Sequence, residues 1–141
     1  MRYLGIDYGS KRVGLAISDE EGMMAFPYKI VQNNQELLDT IHNICGQEEV
    51  GGIVIGESFN NAREPNEIMK DIKIFAEKLN SEVGLPIYME KEFMTTIEAR
   101  GREGKEVNNA KKIKKGEQAA ADASAAALIL QRFLDRKNLN K

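Results

Sequence analysis

The segment Met1-Arg2-Tyr3-Leu4-Gly5-Ile6-Asp7-Tyr8-Gly9-Ser10-Lys11-Arg12-Val13-Gly14-Leu15 constrains the fold more than any other part of the chain. An apolar strand, residues 2–7, runs straight into a carboxylate. A turn at Gly9–Lys11 follows, and a second apolar strand returns over residues 13–18. The pattern predicts a hairpin with Asp7 where the first strand ends, beside a tight glycine turn. A carboxylate there is poorly placed for packing and well placed to hold a divalent cation.

The remaining elements follow from periodicity. Met23 to Val31 reads as a third strand, and Pro27 within it implies an edge position or a bulge. The three strands together suit an antiparallel meander. Leu37, Leu38, Ile41, Ile44 and Cys45 fall on one helical face, with Gly46 as the expected stop. Ile53-Val54-Ile55, between Gly52 and Gly56, is apolar throughout, which predicts a parallel strand buried on both faces. A polar loop is expected from Ser58 to Glu64. Pro65 then opens a helix whose apolar residues are Ile68, Ile72, Phe75 and Leu79, and Gly84 closes it. Leu85 to Met89 is the fifth expected strand, with Glu90 to Glu92 at its end. Thr95-Thr96-Ile97-Glu98 fits a capping box. Glu117 to Arg136 reads as a long alanine-rich helix. Early strands in a meander, later ones alternating with helices, make an α/β fold with a mixed five-stranded sheet flanked by helices. No linker divides the chain, so residues 1–141 are expected to form one domain.

Composition excludes several chemistries. With one cysteine, Cys45, and one histidine, His42, neither an intramolecular disulfide nor a cysteine zinc cluster can form, and a histidine-based triad is not indicated. Twenty basic against 22 acidic residues argue against generic polyanion binding, so any nucleic-acid affinity must be local. The N-terminus turns polar at Asp7, too early for a signal peptide, and no apolar run approaches membrane-spanning length. The expectation is a soluble cytoplasmic protein with no membrane partner, monomeric or homodimeric.

Asp122 is informative on helical geometry alone. It shares a face with Ala126, Ile129 and Phe133, while Ser124, Gln131 and Asp135 project from the opposite side. A charge on the inward stripe is costly unless paired or bound to a cation. The surrounding alanines let a helix backbone approach a sheet closely. Glu57 and Glu92 each follow a short apolar strand, and functional groups of open α/β sheets gather beyond strand ends. Either could join Asp7 and Asp122. Three carboxylates around a cavity suit Mg²⁺ or Mn²⁺, and such ions can activate water against a phosphodiester.

Residues 100–116 lose the apolar pattern. Seven basic residues (Arg100, Arg102, Lys105, Lys111, Lys112, Lys114, Lys115) and two acidic ones (Glu103, Glu106) give a local charge of +5. This stretch, with Lys11 and Arg12 of the hairpin turn, is the candidate phosphate-contacting surface. No aromatic-rich RNA-reading motif accompanies it, so stacking-based recognition is not indicated. A P-loop is absent.

Gly5-Ile6-Asp7-Tyr8-Gly9-Ser10-Lys11-Arg12-Val13-Gly14 resembles the opening of the YqgF (RuvX) family, and Asp122-Ala123-Ser124-Ala125-Ala126-Ala127-Leu128-Ile129-Leu130-Gln131 its closing helix. The similarity extends through Leu15–Asp19, Phe75–Leu79, Leu85-Pro86 and Thr95–Ala99. It implies an RNase H-like fold and a nuclease related to Holliday-junction resolvases. The family is associated with maturation of the 5′ end of precursor 16S rRNA, hence ribosome biogenesis, and with cleavage of branched DNA. By the resemblance, Asp7 matches the first-strand aspartate, Asp122 the last-helix aspartate, and Glu92 the glutamate of an Asp-Glu-Arg segment. Here that segment reads Lys91-Glu92-Phe93, and the usual Gly-Leu-Pro after the fourth strand reads Gly56-Glu57-Ser58. The expected catalytic and metal-holding set is therefore Asp7, Glu92 and Asp122, with Glu57 as the alternative third carboxylate. The altered segment also motivates a second possibility, a nucleic-acid-binding module that has lost activity.

Overall fold

A computed structural model describes residues 1–59, 67–93 and 115–139, with side chains described for 1–58, 67–91 and 123–139. Among these residues the order is β1 (Arg2–Tyr8), β2 (Arg12–Ser18), β3 (Ala25–Gln32), α1 (Leu37–Gln47), β4 (Val50–Phe59), α2 (Met69–Val83), β5 (Ile87–Phe93) and α3 (Lys115–Leu139). The strands form one sheet in the order β3-β2-β1-β4-β5. β1 pairs antiparallel with β2, and β2 with β3. β4 pairs parallel with both β1 and β5. This is the mixed sheet, antiparallel in its first three strands, that the pattern predicts.

β1 and β4 occupy the centre because their residues can be buried on both faces. Leu4, Ile6, Ile53 and Ile55 are fully buried with α1 and α2, through Leu37, Ile41, Ile44, Ile72, Phe75 and Leu79. Tyr3, Val54 and Ala16 face the other way, onto Ala126, Ile129, Leu130, Phe133 and Leu134 of α3. The alternation expected of a pleated strand thus assigns each residue of β1 and β4 to one helical layer. β3 and β5 are the edges. Pro27 sits on edge strand β3, where the register shifts: Leu15 pairs with Lys29 but Ala16 with Pro27, leaving Tyr28 as the extra residue.

The bounds of α1, β4 and β5 differ from expectation. α1 continues through Gly46 to Gln47, because the left-handed residue that turns the chain is Glu49 (φ 54°). β4 runs through Gly51, Gly52 and Gly56 rather than stopping at them. Cβ atoms at 51 and 52 would meet the Met1 side chain, and at 52 also the Tyr3 ring; at 56 one would meet Ile129. Ser58 and Phe59 therefore belong to a strand, not to the expected loop. β5 begins at Ile87, so Glu90, Lys91 and Glu92 lie within it. Glu90 is tolerated there, although buried, because Arg136 donates from Nη1 to its Oε2 at 2.9 Å. α2 ends as expected, on Gly84 in the left-handed conformation (φ 74°). The Pro65 helix start, the capping box at 95–98 and most of the basic stretch lie outside the described residues.

α3 carries the second core layer. Ala126, Ile129 and Phe133 are buried as the stripe predicts, and Ser124 and Asp135 are exposed. Gln131 departs from the expected solvent-facing side. Its Oε1 accepts from the Ala25 N–H at 2.8 Å and its Nε2 donates to the Met23 carbonyl at 3.0 Å, clasping the start of β3. Cys45 is buried, and desolvation pushes its thiol up to about 11, so it is an inert core residue. No described helix is long and apolar enough to cross a membrane.

The contact between α3 and β1 depends on Gly5. A Cβ there would lie 2.7 Å from Leu130 Cβ and 3.1 Å from the Ala126 carbonyl oxygen. Gly5→Ala restricts the unfolded chain, a gain of about 0.4–1 kcal/mol, but the forced shift of a helix backbone costs about 1–3 kcal/mol. The net expectation is destabilisation, read as a lower urea midpoint with an unchanged slope; an equal or higher midpoint contradicts the packing described.

Candidate active site

Asp7 is placed by strand alternation. Tyr3 and Gly5 face α3, so Asp7, two residues on, faces the same layer, while Leu4, Ile6 and Tyr8 face α1 and α2. Asp7 pairs in register with Gly14 of β2. With Gly9, Ser10, Lys11, Arg12 and Gly14 it lines a cleft of about 290 Å³. The carboxylate, the glycine turn and the two basic residues of the opening motif thus surround one space. Lys11 is exposed and Arg12 half-buried, which suits them to meet an anionic backbone.

The turn itself is held from β3. The Asn33 Nδ2 donates to the Gly9 carbonyl at 2.7 Å, and its backbone N–H donates to the Lys11 carbonyl at 2.9 Å. Gly9 is required sterically, because a Cβ at this position would run into the Arg12 carbonyl oxygen. The sequence carries no signal for this brace, because an asparagine pair after a strand does not indicate which carbonyls it will meet.

The backbone brings position 122 toward Asp7. α3 runs antiparallel to β1, since Leu130 lies over Gly5 and Phe133 packs on Tyr3 at 5.5 Å between ring centroids. From Ala126 beside Gly5, one helical turn back to residue 122 covers about 6 Å. From Gly5, two residues forward to Asp7 cover about 6.6 Å. Positions 7 and 122 therefore come level at the same end of the sheet. Residue 122 lies seven positions inside α3, whose first residue is Lys115. Its side chain, like that of Glu92, lies outside the described set.

The two glutamate positions separate by register. Ser58 pairs with Glu92, Gly56 with Glu90, and Val54 with Tyr88. Tyr88 packs on Phe133 and Glu90 on Arg136, so position 92 belongs to the strand phase that faces α3, the phase of Asp7. It lies two strands from β1, roughly 10 Å across the sheet. Glu57 pairs with Lys91 and shares the phase of Ile53 and Ile55, which face α1 and α2. Glu57 and Asp7 therefore stand on opposite faces. Among the described residues no three acidic, histidine or cysteine side chains cluster tightly enough to hold a metal. His42 is exposed on α1 and Cys45 is in the core, so oxygen donors are what this end of the sheet offers. Of the expected nucleic-acid contacts, Lys11 and Arg12 reach the cleft. Arg100, Lys111, Lys112 and Lys114 lie outside the described residues, and Lys115 is described only as the first residue of α3.

The model of the RuvX family, described as a Holliday junction resolvase, matches residues 1–136. The chain belongs to the RuvX family. It is 37% identical over 142 residues to a protein of Ligilactobacillus salivarius, covering 96% of this chain and 93% of that one. It is 36% identical over 142 residues to one of Maridesulfovibrio salexigens, covering 96% and 99%. Both are provisionally named pre-16S rRNA nucleases. Among solved structures, Thermus thermophilus RuvC in complex with a Holliday junction superposes with a TM-score of 0.54 at 17% identity, covering 97% of this chain and 95% of that one. The fowlpox virus Holliday junction resolvase gives 0.52 at 11% identity, covering 96% and 99%. These likenesses establish the RNase H-like, resolvase-type fold, and RuvX membership makes the chain one of a family of nucleic-acid hydrolases.

The Asn33 brace of the RuvX hairpin turn is directly testable. Asn33→Ala removes one hydrogen bond, an expected loss of about 1 kcal/mol in urea unfolding, and raises fast backbone mobility at residues 9–12 in ¹⁵N relaxation. Unchanged relaxation at those amides contradicts a bracing role.

Proposed function

We propose that this chain is a divalent-metal-dependent endonuclease that hydrolyses phosphodiester bonds, with the 5′ end of precursor 16S rRNA as its substrate. The carrying observation is the position of Asp7: a carboxylate on the α3 face, at the end of the central strand, in a cleft shared with Lys11 and Arg12. The names of the 36–37% identical relatives support the RNA substrate. Branched DNA is the alternative within the same chemistry, favoured by the family description.

Asp7, Glu92 and Asp122 are the residues proposed to hold Mg²⁺ or Mn²⁺. The reading rests on the shared strand phase of 7 and 92 and on the level of 7 with 122. Their donors are carboxylate oxygens, the kind hard cations prefer. Glu57 is the weaker alternative, because its strand phase points away from Asp7. Bound ions of this type lower the pKa of a coordinated water and stabilise the leaving oxygen. The chain's own residues do the rest. Lys11 and Arg12 attract and orient the substrate backbone. Asn33 keeps the turn that carries them in one conformation. The oxygen-only donor set at this end of the sheet leaves no imidazole to serve as a general base, so deprotonation of water falls to the carboxylates and the medium.

The test is Asp7→Asn. It should reduce cleavage of a precursor 16S fragment by at least 100-fold while changing RNA affinity less than threefold, and it should weaken Mn²⁺ binding measured calorimetrically. A binding module without activity gives metal-independent affinity and no cleavage in the wild type. Cleavage that survives Asp7→Asn rules out the proposed centre.

A further inference from the structure

A second concavity, of about 320 Å³, lies between the end of β1, the segment that leads into α1, and α2. Its apolar lining is Tyr8, Leu37, Leu38, Ile74 and Phe75, the last only 5% exposed. Tyr8 and Phe75 pack with centroids 4.8 Å apart. Its rim carries Gln35, Asp71 and Lys78, all exposed. Ile74 is 52% exposed on α2.

Two observations join this groove to the catalytic cleft. Tyr8 follows Asp7 directly and faces the opposite side of the sheet, so the two spaces flank one strand end. Asn33 lines the groove while its amide holds Gly9, which lines the cleft. A strand of nucleic acid lying over the 9–12 turn therefore passes from Asp7 toward Tyr8. The groove's size is at the small end of ligand pockets, too small for a peptide helix or an added β-strand and ample for one planar ring system. An aromatic and aliphatic floor suits the face of a base. The Gln35 amide and the Asp71 carboxylate offer partners to base edges, and Lys78 offers one to a phosphate.

We propose that this groove binds one unstacked nucleobase of the substrate, on the unpaired side of the cleavage point. The inference rests on the nuclease reading of the neighbouring cleft and adds a requirement to it: the substrate must present a single-stranded nucleotide about one step from the scissile phosphate. It adds a stacking surface where the sequence carries no aromatic-rich motif to indicate one. Tyr8 and Phe75 are 67 positions apart in the chain, and only the fold makes them one surface.

The experiment titrates ¹⁵N-labelled full chain with AMP, CMP, GMP and UMP, separately, in wild type and in Ile74→Trp, which fills the groove from an exposed position. The expected result is saturable shifts confined to residues 8, 33–38 and 71–78, absent in Ile74→Trp. In cleavage assays on RNA with an unpaired flank, Ile74→Trp should raise KM about tenfold with kcat unchanged, and Lys78→Glu, also at an exposed position, should do the same. Nucleotide shifts that miss the groove, or that persist in Ile74→Trp, overturn the inference. The shifts need no cleavage, so the two readings fail separately. Loss of groove binding with Asp7-dependent cleavage intact removes only the groove, and groove binding with cleavage that ignores Asp7→Asn removes only the nuclease centre.

Discussion

The fold turns on how closely one helix can approach two strands. Gly5 and Gly56 present no side chain to α3, and Leu130 and Ile129 occupy the space that their Cβ atoms would take. That contact fixes both the depth and the axial position of α3 over the sheet. Because the helix runs against β1, its depth at Leu130 determines which residue of its first half stands beside the end of β1. Residue 122 holds that place. The small residues of this interface thus set which part of α3 stands beside the end of β1.

Polar ties near the C-terminal end of α3 reinforce the same constraint. Gln131 holds the start of β3, Asn138 donates to the Gly22 carbonyl at 3.1 Å, and Arg136 reaches buried Glu90 on the opposite edge strand. A helix tied to both edges of a sheet cannot slide without breaking polar contacts at each. Sliding by one residue would take Leu130 and Ile129 off Gly5 and Gly56. At the far end of the sheet the β2–β3 connection is tightened by Asp19. Its carboxylate accepts from the Met23 and Met24 N–H groups, which holds it below the usual carboxylate range.

Much of this was legible in the chain. The hairpin, the double-sided burial of Ile53–Ile55 and the inward stripe of α3 are written in local periodicity, and Asp7 stands out as a carboxylate where an apolar strand runs into a glycine turn. What was not legible depends on pairing. The extent of β4 through three glycines requires knowing that Met1, Tyr3 and Ile129 fill the gaps. The difference between Glu57 and Glu92 is a difference of strand phase, which short apolar runs do not define until register with a neighbour is known. The second role of Gln131, the brace by Asn33 and the groove floored by Tyr8 and Phe75 all join residues far apart in sequence, and no spacing rule relates them.

The proposed centre has carboxylates from β1, β5 and α3 meeting around a cation. Paramagnetic broadening by Mn²⁺ at substoichiometric concentration, followed amide by amide, tests it most directly. The expected losses centre on residues 6–8, 91–93 and 121–123 and are removed together by Asp7→Asn. Broadening centred on Glu57 without residue 122, or spread over unrelated acidic residues, would contradict it.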